Sequence, residues 1–101
     1  MKTYYAVIFT SLKKENVPEY NNMAQLMEQL AQQQPGYKHH ESAREKIGIT
    51  ISYWDSLEAI SRWKNQVDHQ MAQKLGKSDW YEWYQVRICK VEREYGFGKE
   101  L

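Results

Sequence analysis

The run Tyr4-Tyr5-Ala6-Val7-Ile8-Phe9 is apolar or aromatic at every position. Branched and aromatic side chains suit a pleated strand, and the run is far too short for a membrane span or the apolar core of a signal peptide. Neighbouring side chains on a strand point to opposite faces, so this strand, read as Tyr4 to Leu12, is apolar on both. Each face needs a cover, because contiguous apolar surface in water is unfavourable by roughly 25 cal/mol per Å². Any fold open to this chain has to bury that strand from two sides.

The rest of the chain supplies helices for one side only. Pro18 suits the first position of a helix. Behind it Tyr20, Met23, Ala24, Met27, Leu30 and Ala31 recur at steps of three and four, with Asn, Gln and Glu between them, until Pro35-Gly36 ends the pattern. Tyr37 to Ala43 is polar and charged, as an edge strand is. In Ile47 to Trp54, the residues Ile47, Ile49, Ile51 and Tyr53 alternate with Gly48, Thr50 and Ser52, giving a strand with one apolar face. Asp55 followed by Glu58 reads as a helix cap with its capping-box partner. Leu57, Ile60 and Trp63 form a buried stripe that Val67 extends. Met71, Ala72 and Leu75 make a second short stripe closed by Gly76, and Lys77 to Asp79 is a loop. Trp80 to Tyr95 is a last strand in which Val86 and Ile88 face one way and Arg87 and Cys89 the other. Val91 breaks that phase, which predicts a twist or bulge near Cys89 and Lys90.

The order β-α-β-β-α-β predicts an α+β, ferredoxin-like sandwich with both helices on one face of an antiparallel sheet. The whole chain, 1–101, reads as one domain. The sheet face away from the helices stays uncovered, and the simplest cover is a second copy, so a two-fold, sheet-to-sheet homodimer is expected.

Composition narrows the function. The chain carries 14 basic and 13 acidic side chains, for a net charge of +1, with no run of like sign. A footprint for nucleic acid or an anionic membrane is therefore not expected. The single cysteine, Cys89, rules out an internal disulfide and suits a reducing, cytoplasmic setting. His39 and His40 are adjacent on a strand and face opposite ways, so they cannot chelate one ion, and no metal site is expected. Four Trp and eight Tyr stand against two Phe, a bias toward side chains that serve interfaces and pockets. No Ser-His-Asp arrangement, phosphate-binding glycine loop or dinucleotide fingerprint occurs. Gly96-Phe97-Gly98 reads as a flexible tail.

The runs Gln34-Pro35-Gly36-Tyr37, Glu41-Ser42-Ala43-Arg44 and Ile51-Ser52-Tyr53-Trp54-Asp55-Ser56-Leu57-Glu58-Ala59 resemble the antibiotic-biosynthesis-monooxygenase (ABM) domain, in particular its small bacterial members. Trp63-Lys64, His69, Trp80-Tyr81, Tyr84, Arg87-Ile88 and Val91-Glu92 extend the resemblance over nearly the whole chain, Lys2 to Phe97. It implies a dimeric α+β barrel with a pocket between helices and sheet. It also implies one of several activities: cofactor-independent quinone-forming oxygenation, haem degradation, or none. By resemblance, Trp63 is the pocket tryptophan of the second helix, His69 its polar partner, and Arg87 the nearest match to a pocket arginine of the last strand. Two departures stand out. Ala59 replaces the asparagine that the oxygenases place one turn before the tryptophan. The first strand lacks the asparagine of the haem-degrading relatives, and Gln73 stands where they carry a histidine.

These residues also have plainer readings. Trp63 is either core packing with Leu57 and Ile60 or an indole N–H directed into a cavity. His69 is either a solvated edge histidine or a base, since an imidazole titrates near neutrality without tuning. Arg87 either enters the pocket or faces the dimer side and pairs with Glu92 or Glu94. Tyr84, with Trp80, Tyr81 and Trp83, either contacts the second subunit or closes over a ligand. The leading expectation is a monooxygenase-like enzyme that takes a small aromatic or quinol-type metabolite without a bound cofactor. In it His69 and Trp63 are catalytic, and Trp63, Arg87 and Tyr84 bind substrate. The alternatives are a haem-binding or haem-degrading protein with His69 as axial ligand, and a non-catalytic dimeric module whose cavity is filled by its own side chains.

Overall fold

β1 (Tyr4–Lys13) lies in the interior of a four-stranded antiparallel sheet of order β2-β3-β1-β4, where β2 is Tyr37–Arg44, β3 Ile47–Trp54 and β4 Tyr81–Val91. α1 (Tyr20–Gln32) follows β1, and α2 (Leu57–Lys74) follows β3. The computed structural model describes residues 3–17, 20–74 and 80–98, with Tyr20, Asn21, Met23 and residues 69–74 described through their backbone alone. Pro18, Leu75, Gly76 and the loop Lys77 to Asp79 lie outside the described residues, as do the side chains of Tyr20, Met23, His69, Met71 and Ala72. This is the ferredoxin-like α+β architecture that the order of elements predicts. No helix among the described residues is long and apolar enough to cross a membrane.

The register divides β1 between two environments. Val7 lies opposite Ser52 and Ile88, and Phe9 opposite Thr50 and Val86, all on the helix side. Ile8 lies opposite Ile51 and Arg87, and Leu12 opposite Ile47 and Trp83, on the outer side. Val7, Ala31, Trp54, Ala59 and Ile60 form one buried cluster, and Trp80 and Tyr81 a second that gathers Phe9, Leu26, Met27 and Val67. The alternating apolar face of β3 turns outward, leaving Ile47 48% and Ile49 44% exposed in the protomer. The inner face of β3 is instead Gly48, Thr50, Ser52 and the fully buried Trp54, whose indole N–H donates to Ser52 Oγ at 2.9 Å.

Three local expectations are corrected. The helix cap is Ser56, whose Oγ accepts the Ala59 N–H at 3.1 Å, while Asp55 lies 3.8 Å from Lys38 Nζ. Since α2 starts at Leu57, Ser56 is the residue whose side chain reaches the third helical N–H. Leu57 is half exposed, and Ala59 and Ile60 are buried in its place. The bulge expected near Cys89 lies at the other end of β4, at Glu82: Leu12 pairs with Trp83 and Lys13 with Tyr81. Val91 keeps the phase of Cys89 and pairs with Tyr4 on the outer side, so no distortion is needed there.

Two contacts fix the ends of the sheet. Gly36 has φ +93°, and a Cβ there would lie 2.7 Å from Ala59 Cβ, so only glycine lets the start of β2 pass beneath α2. Past β4, the chain is held by a hydrogen bond from the Tyr4 hydroxyl to Glu94 Oε2. That bond, with burial and the nearby Glu94 charge, pushes the Tyr4 pKa up to about 12 from 10.0.

Gly36→Ala is expected to destabilise the fold by about 2–3 kcal/mol, read as a lowered urea midpoint with unchanged slope. Tyr4→Phe is expected to cost about 1 kcal/mol at neutral pH. The folded phenol stays protonated where the unfolded one ionises, so its contribution is complete below pH 10 and lost as pH rises toward about 12. The stability gap between native protein and Tyr4→Phe should therefore close over that interval in alkaline denaturation series.

Candidate functional site

The helices pack mainly on β2, β3 and each other. Between them and the sheet lies a cavity of about 300 Å³, at the lower end of the range for small-molecule sites. Val7 and Phe9 of β1 and Val86 and Ile88 of β4 make its floor, and Met27, Ile60, Trp63 and Val67 its roof. Val86 and Ile88 remain 46% and 50% exposed, so the β4 side is the open flank.

Polar groups are few and grouped. On β2 the bulge at Lys38 puts two residues opposite Trp54, so Tyr37 and His40, three apart, both face the helices. The Tyr37 hydroxyl is 2.6 Å from His40 Nδ1, and His40 Nε2 is 3.6 Å from Glu28 Oε1 of α1. Burial raises the Tyr37 pKa, and the Glu28 charge raises it further, while a hydrogen bond from Gln32 acts the other way. The Glu28 carboxylate facing Nε2 favours the tautomer with its ring proton there, which leaves Nδ1 to accept from the Tyr37 hydroxyl. Arg44 lies over Gly48, where a Cβ would meet its guanidinium at 2.2 Å, and donates to Ser11 Oγ at 2.8 Å. On α2, Lys64 and Asp68 are paired at 2.6 Å, one turn apart.

Trp63 lines the roof and stacks on Trp54 with ring centroids 5.1 Å apart. Its Nε1 is buried and has no hydrogen-bond partner among the described residues. A buried donor left unpaired costs about 1–3 kcal/mol, and an acceptor atom on a guest would offset that. Both readings of Trp63 meet in this one side chain, which packs and also offers a donor.

Tyr84 also lines the cavity, with its ring stacked on Phe9 at 5.5 Å. Arg87 does not. Val86 and Ile88 take the inner face, so Arg87 stands on the outer face opposite Ile8, and its Nη2 donates to Gln85 Oε1 at 2.7 Å rather than to the carboxylate expected. Of the two facings open to Arg87 in the sequence, the structure has the one away from this cavity. His69 belongs to α2, with its side chain outside the described residues. His39 stacks on Tyr53 at 4.6 Å on the outer face, away from His40. Sequence reasoning missed Tyr37, His40, Glu28 and Arg44 as cavity residues. The adjacent histidines told that one of them faces inward, but nothing in the sequence marks the bulge that sets Tyr37 beside it.

No protein-family model matches the chain. The fold is similar to that of the NE2512 protein of Nitrosomonas europaea, with TM-score 0.72, 8% identity, and 97% of this chain and 98% of that one covered. It is also similar to SnoaB, a cofactor-independent oxygenase from Streptomyces nogalater, with TM-score 0.65, 13% identity, and coverage of 98% and 100%. A variant of MhuD, solved with manganese protoporphyrin IX in its active site, gives TM-score 0.69, 15% identity, and coverage of 91% and 98%. At such identities the likeness is one of fold. In sequence, the chain is 50% identical over 93 residues to YqjZ of Bacillus subtilis, covering 90% of this chain and 82% of YqjZ. The chain therefore belongs to the YqjZ family.

Proposed function

We propose that this protein is an ABM-type domain that binds a small aromatic or quinol-type metabolite between helices and sheet and promotes its oxygenation without a bound cofactor. The observation that carries the reading is the indole N–H of Trp63, unpartnered among the described residues, on the roof of a mostly apolar cavity. A planar ring bearing one oxygen acceptor complements that arrangement, and the shared fold with a cofactor-independent oxygenase supports it. Tyr84 beside Phe9 adds an aromatic wall. The chemistry asks little of the protein. Loss of a proton makes the ring an electron donor to dioxygen; a ring CH2 then becomes C=O with one oxygen atom, and the other leaves as water with the two hydrogens, all four electrons coming from the substrate. The protein supplies orientation, exclusion of water and a proton acceptor, for which His69 is the α2 candidate.

The haem alternative draws less support. Among the described residues, the cavity's imidazole is His40, with the Tyr37 hydroxyl at Nδ1 and Glu28 facing Nε2, so neither nitrogen is open to an iron. The non-catalytic alternative expects a cavity closed by the protein's own side chains, which a volume of about 300 Å³ does not favour.

The second copy belongs to the same proposal. Ile8, Leu12, Ile47, Ile49 and Trp83 share an outer face that no described helix covers, and Tyr95 and Phe97 are largely exposed. Two-fold pairing of these faces buries that surface and leaves the helix side free.

Anthrone, whose enol is a three-ring phenol, is expected to quench tryptophan emission saturably and to be converted to anthraquinone with matching oxygen uptake. Trp63→Phe should weaken its binding by roughly fivefold, the worth of one hydrogen bond. Haemin should give no discrete Soret shift, and a shift lost in His69→Ala would favour the haem reading. Ile49→Glu should convert a dimer into a folded monomer in sedimentation equilibrium, and a monomeric native protein would remove the dimer from the proposal.

A further inference from the structure

The Glu28, His40 and Tyr37 side chains come from two elements and meet at one end of the cavity, the end defined by α1 and β2. Their contacts run in a single direction. The carboxylate faces Nε2, and Nδ1 faces the phenolic hydroxyl. A structural role for the tyrosine is already met by its ring, which packs edge-on to Trp54 at 5.5 Å. The hydroxyl proton is committed to His40, Gln32 donates to the hydroxyl oxygen, and a lone pair remains for a further donor.

We propose that Tyr37, His40 and Glu28 form a proton relay that takes the hydroxyl proton of a phenol or hydroquinone bound in the cavity, so that such ligands are held as their anions. This rests on the ligand class argued above and places the proton acceptor at His40 of β2 instead of His69 of α2. The ligand O–H bond breaks as its proton passes to the Tyr37 oxygen, and the Tyr37 proton passes to His40 Nδ1. The resulting imidazolium keeps its Nε2 proton toward Glu28, whose negative charge stabilises it. No electrons move in this step, and one proton is transferred in total. The other charged groups lining the cavity are Arg44 on β2 and the Lys64–Asp68 pair on α2. The Arg44 guanidinium is positive at any working pH and favours an anion in the same space.

The relay is tested with quinizarin, a hydroxyanthraquinone whose visible band moves to the red when a hydroxyl ionises, while binding is followed separately by tryptophan quenching. In the native protein, bound dye should ionise about 1–2 pH units below free dye. His40→Gln and Tyr37→Phe should still quench but hold the dye neutral, with the ionised fraction at a given pH down roughly tenfold. His39→Gln, on the outer face of the sheet, should leave the dye's colour as in the native protein. The relay is overturned if native protein binds the dye neutral, if both relay variants keep the red band, or if His69→Ala alone abolishes it. In those cases binding persists and the ligand class stands. Failure of native protein to bind either quinizarin or anthrone would remove the ligand class, and the relay with it.

Discussion

The structure is organised by the two-sided apolar character of β1. A strand with Val7 and Phe9 on one face and Ile8 and Leu12 on the other has no solvent-tolerant side, and its interior place between β3 and β4 follows. The helices bury the inner face through Ile60, Ala31 and the Trp80 cluster. The outer face keeps Ile47 and Ile49 partly exposed. Cavity and exposed apolar surface are thus consequences of one constraint, placed on opposite sides of one sheet.

Two bulges then decide what the cavity contains. In an unbroken strand, residues three apart face opposite ways. The extra residue at Lys38 sets Tyr37 and His40 on one face, and the extra residue at Glu82 does the same for Tyr81 and Tyr84. The first bulge assembles the hydrogen-bonded pair at the polar end of the cavity. The second brings two tyrosine rings against Phe9, each 5.5 Å away. The same local irregularity, used once on each edge strand, supplies a proton path at one wall and an aromatic surface at another.

The small residues of β3 are the counterpart. Gly48 gives room to the Arg44 guanidinium, which ties β2 to Ser11 of β1 across it, and Ser52 satisfies the buried indole of Trp54. Trp54 is paired in this way, while the Trp63 and Trp80 indoles have no partner among the described residues, and of these Trp63 lines the cavity. The site is therefore mostly apolar, with a few polar groups held by strands and helices rather than loops, which limits how far they can shift.

The order of elements, the bounds of β3 and the amphipathic α1 were legible in the chain, because they rest on periodicity and on the character of neighbouring residues. Trp63 and Tyr84 could be proposed as cavity residues for the same reason and through a family resemblance. Facing was not legible. Arg87 and His40 each sit in a strand whose alternation is plain, yet alternation gives two faces without saying which one the helices cover. Nor does the chain mark where a bulge falls, since Lys38 and Glu82 look like ordinary polar strand residues. Those choices depend on Gly36 slipping under α2, on Arg44 filling the space above Gly48, and on the Leu12–Trp83 register, all contacts between residues distant in sequence. Local pattern sets what each segment becomes; the packing of segments against one another decides which side chains share a cavity.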